Sequence, residues 1–354
     1  MKAISLFSGM GGDTLGMTQA NLDVVAYSEI KSTCCKSHEA NFPKSVLISH
    51  EGCSDITKIP DDVLAAYRVD VLFAGFPCQG FSQAGKQRDD DPRNTLFMEF
   101  VRATRCMQPY MVVGENVKGL LKKKTQGVAY IDVIVSEFQK LGYTVKYQVM
   151  KCEHFGVPQS RERCILVGVR VNPYGWVPSF PKKQAVMDLK PILQFNMTGA
   201  VPVPASLVAG IPSECILTDM ENASTGERGH PYLCSKLEAN EEKRTYQKKT
   251  HAVLFSFGKR DSPIHCEIID IRKPCKTVIC TYDHQPRLFV PLRNSVGFFL
   301  RTLLPDELKQ IQGFPKEYRV LGSPKEQCVQ IGNAVPPPLV HAVVSCILHP
   351  EHIK

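Results

Sequence analysis

The stretch Lys2-Ala3-Ile4-Ser5-Leu6-Phe7-Ser8-Gly9-Met10-Gly11-Gly12 decides the fold. Ile4–Phe7 is apolar enough for a buried strand, and the glycines after it predict a tight turn into a helix. Glycines between a strand and a helix let backbone N–H groups come close to a ligand. The dinucleotide fingerprint Gly-x-Gly-x-x-Gly is not met, because position 14 is Thr. At this point a purely structural turn explains the glycines equally well.

Working outward, further apolar runs read as strands: Val24–Tyr27, Val69–Ala74, Met111–Gly114, Cys164–Val169 and the more alternating Thr144–Met150. Asn94–Met107 and Tyr130–Leu141 read as helices between them. Strands alternating with helices predict an α/β fold whose mostly parallel sheet is covered on both faces. Past Arg170 the chain is punctuated by prolines and predicts an irregular region of short strands to about Asn294. Regular structure should return near Arg301, with helices at Pro305–Gln312 and from Pro336 to about Leu348. Three segments follow: 1–170, 171–294, and 295–354 returning to the first.

Composition narrows the function. The 354 residues carry a formal net charge of +8, which leans toward a polyanionic partner. Fourteen cysteines show no Cys-x-x-Cys pair, so zinc-ligand spacing is absent and no metal is expected. No apolar run predicts a membrane span, and the N-terminal apolar stretch is too short for a secretory signal. An intracellular chain is expected.

The candidate chemistry lies at predicted strand ends. Glu29 follows the second strand, where an acid can accept hydrogen bonds from ribose hydroxyls. Asp55-Ile56 is expected at a third strand end, with Asp55 accepting from an adenine amino group. Cys78, in Gly75-Phe76-Pro77-Cys78-Gln79-Gly80, follows the strand Val69–Ala74 at the carboxyl edge where open α/β sheets bind ligands. A thiolate there is a strong, soft nucleophile. Glu115 closes the next strand and could donate a proton to a ring nitrogen. Arg161 and Arg163, two apart in Gln159–Arg163, would share one face and could hold a base oxygen or a phosphate.

These motifs, in this order, resemble those of the cytosine carbon-5 DNA methyltransferases of the restriction-modification kind. The resemblance also takes in Asp91–Phe97, Arg301-Thr302-Leu303 with Glu307, Gln312–Pro315 and Gln330–Val335. It implies a Rossmann-like, S-adenosylmethionine-dependent methyltransferase domain plus a smaller target-recognition domain within 171–294. S-adenosylmethionine would lie on Phe7, Ser8, Gly9, Gly11, Gly12, Glu29, Ile30, Asp55, Ile56, Pro77, Leu96, Asn333 and Ala334. Cys78 would attack carbon 6 of a flipped-out cytosine, Glu115 would contact the ring nitrogen and amino group, Arg163 the base carbonyl, and Arg161 a phosphate. Ile30 departs from the family, where many members carry an aromatic that stacks on adenine.

The resemblance further implies double-stranded DNA as partner, a monomer, and a loop after Cys78 that closes over DNA through Ser82, Lys86 and Arg88. Thr277-Val278 resembles the recurring Thr-Val/Leu pair of the recognition domain, and Arg272, Gln285 and Arg287 are candidate base readers. Two other readings remain at this point. An RNA-methylating relative would share the chemistry, but the Cys-Phe-Thr signature of that branch is absent. A catalytically silent DNA-binding relative would have lost Cys78, Glu115 or the glycine loop, and all are present.

Overall fold

A computed structural model describes residues 1–77, 96–125, 127–170, 178–241, 246–249, 252–255 and 266–348. The expectations for Cys78, Ser82, Lys86 and Arg88 lie outside the described residues. In chain order the first strands are β1 (Lys2–Leu6), β2 (Asp23–Ser28), β3 (Val46–Leu47), β4 (Val71–Ala74) and β5 (Met111–Val117). A small hairpin follows, β6 (Lys124–Thr125) and β7 (Val128–Ala129), then β8 (Tyr143–Lys151), β9 (Gln159–Ser160) and β10 (Glu162–Arg170). Helices α1 (Gly12–Gln19), α2 (Ser32–Asn41), α3 (Asp61–Ala65), α4 (Phe97–Met107) and α5 (Tyr130–Lys140) connect them.

Seven of these strands form one sheet in the order β3-β2-β1-β4-β5-β10-β8. The first five are parallel, and β10 runs antiparallel to both β5 and β8. The expected α/β architecture is therefore present. The strand alternation explains its two-sided burial. Val71 and Phe73 of β4 pack with Met17 of α1, while Leu72 and Ala74 face Phe100 of α4 and Phe138 of α5.

The middle of the chain is more regular than expected. Strands β11 (Val201–Val203), β12 (Leu217–Asp219), β13 (Tyr246–Lys249), β14 (Ala252–Phe255), β15 (Cys266–Ile268), β17 (Leu288–Asn294) and β18 (Phe298–Thr302) make a second seven-stranded sheet. Its central strand β17 pairs with β12 and β15 in parallel and with β18 antiparallel. Short β-runs separated by prolines concealed it, because the partners of β17 are distant in sequence. Two short helices, α6 (Ala205–Val208) and α7 (Pro231–Glu241), accompany this sheet. Strand β16 (Cys275–Lys276) instead pairs with β9, tying this part of the chain to the first sheet's side of the molecule.

The C-terminal part adds α8 (Pro305–Ile311), α9 (Pro324–Asn333) and α10 (Pro337–Leu348). Helix α9 was missed in the sequence, although Ser323 caps it and Glu326 answers Ser323 in a capping box. Helix α10 packs on α1 so closely that a Cβ at Gly16 would meet the Pro337 carbonyl at 2.5 Å. Pro324–Leu348 is long and apolar enough by composition to cross a membrane, against the sequence expectation. It breaks at Ala334–Pro336, and Leu339, Val340, Val343, Val344 and Ile347 are core residues, so burial in the fold accounts for its composition.

Candidate active site

Strands β1, β2, β4 and β5 present their carboxyl ends along one edge of the first sheet, and the candidate residues gather there. After β1, the turn runs through left-handed Phe7 (φ 57°), Gly9 (φ 56°) and Gly11 (φ 93°). The Gly9 N–H donates to Glu29 Oε2 at 2.9 Å, and the N–H groups of Ile30 and Lys31 donate to Oε1 at 2.9 and 2.8 Å. A carboxylate has about four acceptor positions, so this one is fixed in place with capacity left for a hydroxyl. Beside it Ile30 is 64% exposed, a large apolar side chain awaiting cover.

The glycines of the turn divide into two kinds. A Cβ at Gly9 would meet nothing within 4 Å. At Gly12 it would lie 2.1 Å from the Val335 carbonyl, and at Gly11 2.7 Å from the Phe42 ring. At Gly11 and Gly12 the absence of a side chain is required by the protein's own C-terminal segment and by His38 and Phe42 at the end of α2, a packing demand separate from any backbone contact to a ligand. Ser8 is likewise buried, its hydroxyl donating to Asp13 Oδ1 at 2.8 Å. Asp13 was not singled out in the sequence; an acid in the first turn of a helix was the available signal. Its burial lifts the carboxyl to about 6, against hydrogen bonds from Ser5, Ser8 and the Thr14 N–H that pull it down.

Asp55 is not at a strand end. Strand β3 stops at Leu47, and Asp55 caps a short 3-10 turn, accepting from the Thr57 N–H at 3.1 Å and its hydroxyl at 2.8 Å. Its second oxygen makes neither of these bonds. Ile56 packs its side chain into the core, so its backbone alone is available to a ligand.

At the ends of β4 and β5 a compact constellation forms. Glu115 Oε1 is 2.7 Å from Arg163 Nε, both side chains nearly buried. A Cβ built on Gly75 would lie 3.8 Å from Glu115 Oε2 and 3.9 Å from the Phe7 carbonyl, so the two turns and the carboxyl converge. Asn116 holds this arrangement, its side-chain amide donating to the Phe76 carbonyl at 3.0 Å. Pro77 ends the described part of this loop and Leu96 begins the next, capping α4. Burial pushes the nearby thiol of Cys164 up to about 12, which leaves it unreactive. Nine of the thirteen described cysteines are buried, in keeping with their reading as small core residues.

Arg161 is a correction. It is 2% exposed, and its guanidinium donates to the carbonyls of Val278 (3.1 Å), Gly332 (3.0 Å) and Ala334 (3.3 Å). Those donors are spent inside the protein, so they are not available to a phosphate. Gln159 and Gln312 complete this buried hub, bonded to each other at 2.6 Å. Gln159 also accepts from the Val278 N–H, and Gln312 donates to the Ala334 carbonyl. Ala334 thus belongs to the hub and to the core, whereas its neighbour Asn333 is exposed.

A family model described as C-5 cytosine-specific DNA methylase matches residues 1–349. The chain belongs to this family. Among curated methylases it is 32% identical to the Type II methyltransferase M1.HphI of Haemophilus parahaemolyticus, over 98% of this chain and 86% of that one. It is 31% identical to M.BsuFI of Bacillus subtilis, over 97% and 71%. A solved structure of a Spodoptera frugiperda DNMT2 variant shares the fold, with a TM-score of 0.66 at 17% identity over 98% and 99% of the two chains.

The methylase brings some expected DNA readers together and not others. Thr277, Gln285 and Arg287 line one small depression with Lys276, Ile279 and Tyr282. Arg287 donates to Gln285 at 3.0 Å, and the Thr277 hydroxyl donates to the Ser160 carbonyl at 2.7 Å. Arg272 is elsewhere engaged: it pairs with Asp270 at 3.0 Å and with Glu214 at 2.8 Å. Its fork is filled by carboxylates, which corrects the expectation that it reads a base.

Proposed function

We propose that this methylase transfers a methyl group from S-adenosylmethionine to carbon 5 of a cytosine swung out of duplex DNA, through a covalent bond from Cys78 to carbon 6. The observation that carries the reading is the Glu115–Arg163 pair, 2.7 Å apart and set against Gly75, three residues ahead of Cys78. A carboxyl and a guanidinium side by side suit the polar edge of a cytosine, which offers an amino group, a ring nitrogen and a carbonyl. Carbon 5 of cytosine is a weak nucleophile within an aromatic ring. Addition of the Cys78 thiolate to carbon 6 breaks the conjugation and places electron density on carbon 5.

The residues fit the cofactor. Open space at Gly9, the anchored Glu29 carboxylate and the exposed Ile30 together offer a turn, a hydroxyl acceptor and an apolar cover for an adenosine. When bound, S-adenosylmethionine supplies an electrophilic methyl group on a sulfonium. Glu115 would hold the ring nitrogen and amino group while the adduct forms, and Arg163 would hold the carbonyl. Carbon 5 then forms its bond to the methyl carbon as the carbon–sulfur bond of the donor breaks. Loss of the carbon-5 proton to a base restores the double bond and expels Cys78 as thiolate. The base must leave the stack because its carbon 5 is otherwise out of reach.

Residues 1–170 with 295–354 would carry the chemistry, and 171–294 the target reading. Thr277, Gln285 and Arg287 remain the favoured readers because they share one surface. The test is transfer of a labelled methyl group from S-adenosylmethionine to duplex DNA. Cys78→Ser should abolish it, and Glu115→Gln should slow turnover strongly while cofactor binding persists. Robust methylation by the serine variant would refute the covalent route. Bisulfite sequencing of DNA exposed to the protein then reads both the product and its site.

A further inference from the structure

We infer that Asp13 is a positioning residue for the cofactor turn, locking Phe7–Gly11 in its binding shape. The inference rests on the functional reading above. Its ground is geometric. The turn holds Phe7 at φ 57°, a left-handed conformation that a bulky side chain adopts only under outside restraint. Asp13 is fully buried directly beneath the turn. Its carboxyl accepts from the Ser5 hydroxyl at the end of β1, from the Ser8 hydroxyl in the turn at 2.8 Å, and from the Thr14 N–H in α1 at 2.7 Å. One side chain therefore fixes strand, turn and helix to one another. A surface acid would satisfy the helix N-terminus as well, without the cost of burial; the buried placement instead serves the turn.

The surroundings leave Asp13 as the group that changes charge. Thr14 Oγ1 lies 3.0 Å from His38 Nε2 on α2, and burial pushes His38 down to about 3, so the ring stays neutral above pH 5. His38 stacks on Tyr27 at 3.6 Å, and Tyr27 donates to Glu39 at the far end. Tyr318, whose hydroxyl donates to the Met10 carbonyl, faces Asp13 from the C-terminal part and is held far above its ordinary range, hence neutral. Glu29 grips the opposite edge of the turn through the Gly9 N–H. Burial lifts the Asp13 carboxyl to about 6. Once protonated, its O–H must donate, so one serine hydroxyl has to reverse from donor to acceptor, and the charge-assisted bonds that hold the turn become neutral ones, about half as strong. The turn is then held less tightly beneath its ligand face, and the cofactor should bind more weakly.

The test is the affinity for S-adenosylhomocysteine by calorimetry between pH 5 and 8, with wild type and Asp13→Asn. Wild type should lose roughly tenfold in affinity as the pH falls one unit below the Asp13 midpoint, since a tenfold population change accompanies each unit. Asp13→Asn should bind about tenfold more weakly at pH 7.5 and show no change through the window. Its KM for S-adenosylmethionine should rise while kcat at saturating cofactor stays within about threefold, a split that mere loss of folded protein would not give. A flat wild-type profile, or an unchanged slope in Asp13→Asn, overturns the role. Should Asp13→Asn not fold, Ser8→Ala removes one bond that pulls the carboxyl down and must move the midpoint upward; an unmoved midpoint overturns it too. Absence of binding by wild type at every pH refutes the functional reading itself, whereas binding with a flat profile refutes only the role of Asp13.

Discussion

Arg301 in β18 offers a prediction whose size follows from the structure. The side chain is fully buried and all five of its N–H groups are used. Two donate to Glu307 of α8, at 2.7 and 2.8 Å. Three donate to the carbonyls of Asn196 (2.9 Å), Gln194 (3.1 Å) and Thr302 (2.9 Å). Arg301→Met strips all five and leaves a buried carboxylate that still accepts from the Leu304 N–H at 2.9 Å. Breaking one side of a buried pair costs about 3–5 kcal/mol, and we expect about 4 kcal/mol here. That is close to a thousandfold in the folded-to-unfolded ratio. Glu307→Leu alone should cost nearly as much, because it strands the guanidinium. The double variant Arg301→Met with Glu307→Leu should recover about 2 kcal/mol relative to the sum, since neither charge is then left alone. Urea unfolding followed by circular dichroism measures all four proteins. A loss under about 1 kcal/mol for Arg301→Met, or strict additivity in the double variant, would refute the reasoning.

Further outcomes are expected. Gly12→Ala places a Cβ 2.1 Å from the Val335 carbonyl, so α1 and the C-terminal segment must separate by about 1 Å; a lowered melting temperature and weakened S-adenosylhomocysteine binding should appear together. Ile30→Phe should tighten that ligand a few-fold by adding apolar cover at an exposed position, and unchanged affinity in calorimetry would remove Ile30 from the adenine site. Burial alone would raise the Asp270 carboxyl, but hydrogen bonds from Arg272, with Cys215 and Lys273, together outweigh it and hold the group well below the ordinary value of 3.8. A depressed folded value stabilises above the unfolded value and is lost as pH falls below it, so Asp270→Asn should narrow the stability difference between pH 5 and pH 2.5. Equal acid sensitivity in both proteins would count against this.

Much of the first sheet was legible because its strands are continuous apolar runs between helices, a pattern that burial on both faces imposes. Glu115 and Arg163 were legible for the same reason: each sits at a strand position whose end could be read. Arg161 was not. Its partners, Val278, Gly332 and Ala334, lie 117 to 173 positions away, and no local pattern separates an arginine bound to carbonyls from one bound to phosphate. Gly12 and Gly9 look alike in the sequence, yet one abuts the protein's own backbone and the other open space. Asp55 was misplaced because a capping aspartate and a strand-end aspartate share the same neighbours. The second sheet was missed because β17 finds β12 and β15 in parallel across long connections, which leave no hairpin signal.

The contacts of the glycine turn also bear on the order of events during synthesis. Met10 accepts a hydrogen bond from Tyr318, 308 positions later, and Gly12 and Gly16 nest against Val335 and Pro337. The first helix to leave the ribosome therefore waits for almost the last. Until then its apolar face, Met17 and Ala20, lacks the α10 side chains that share its core. Such long-range closure is slow and exposes sticky surface meanwhile. Folding of this methylase should accordingly depend on chain completion, and ribosome-stalled chains lacking α10 should be captured by chaperones rather than by S-adenosylhomocysteine.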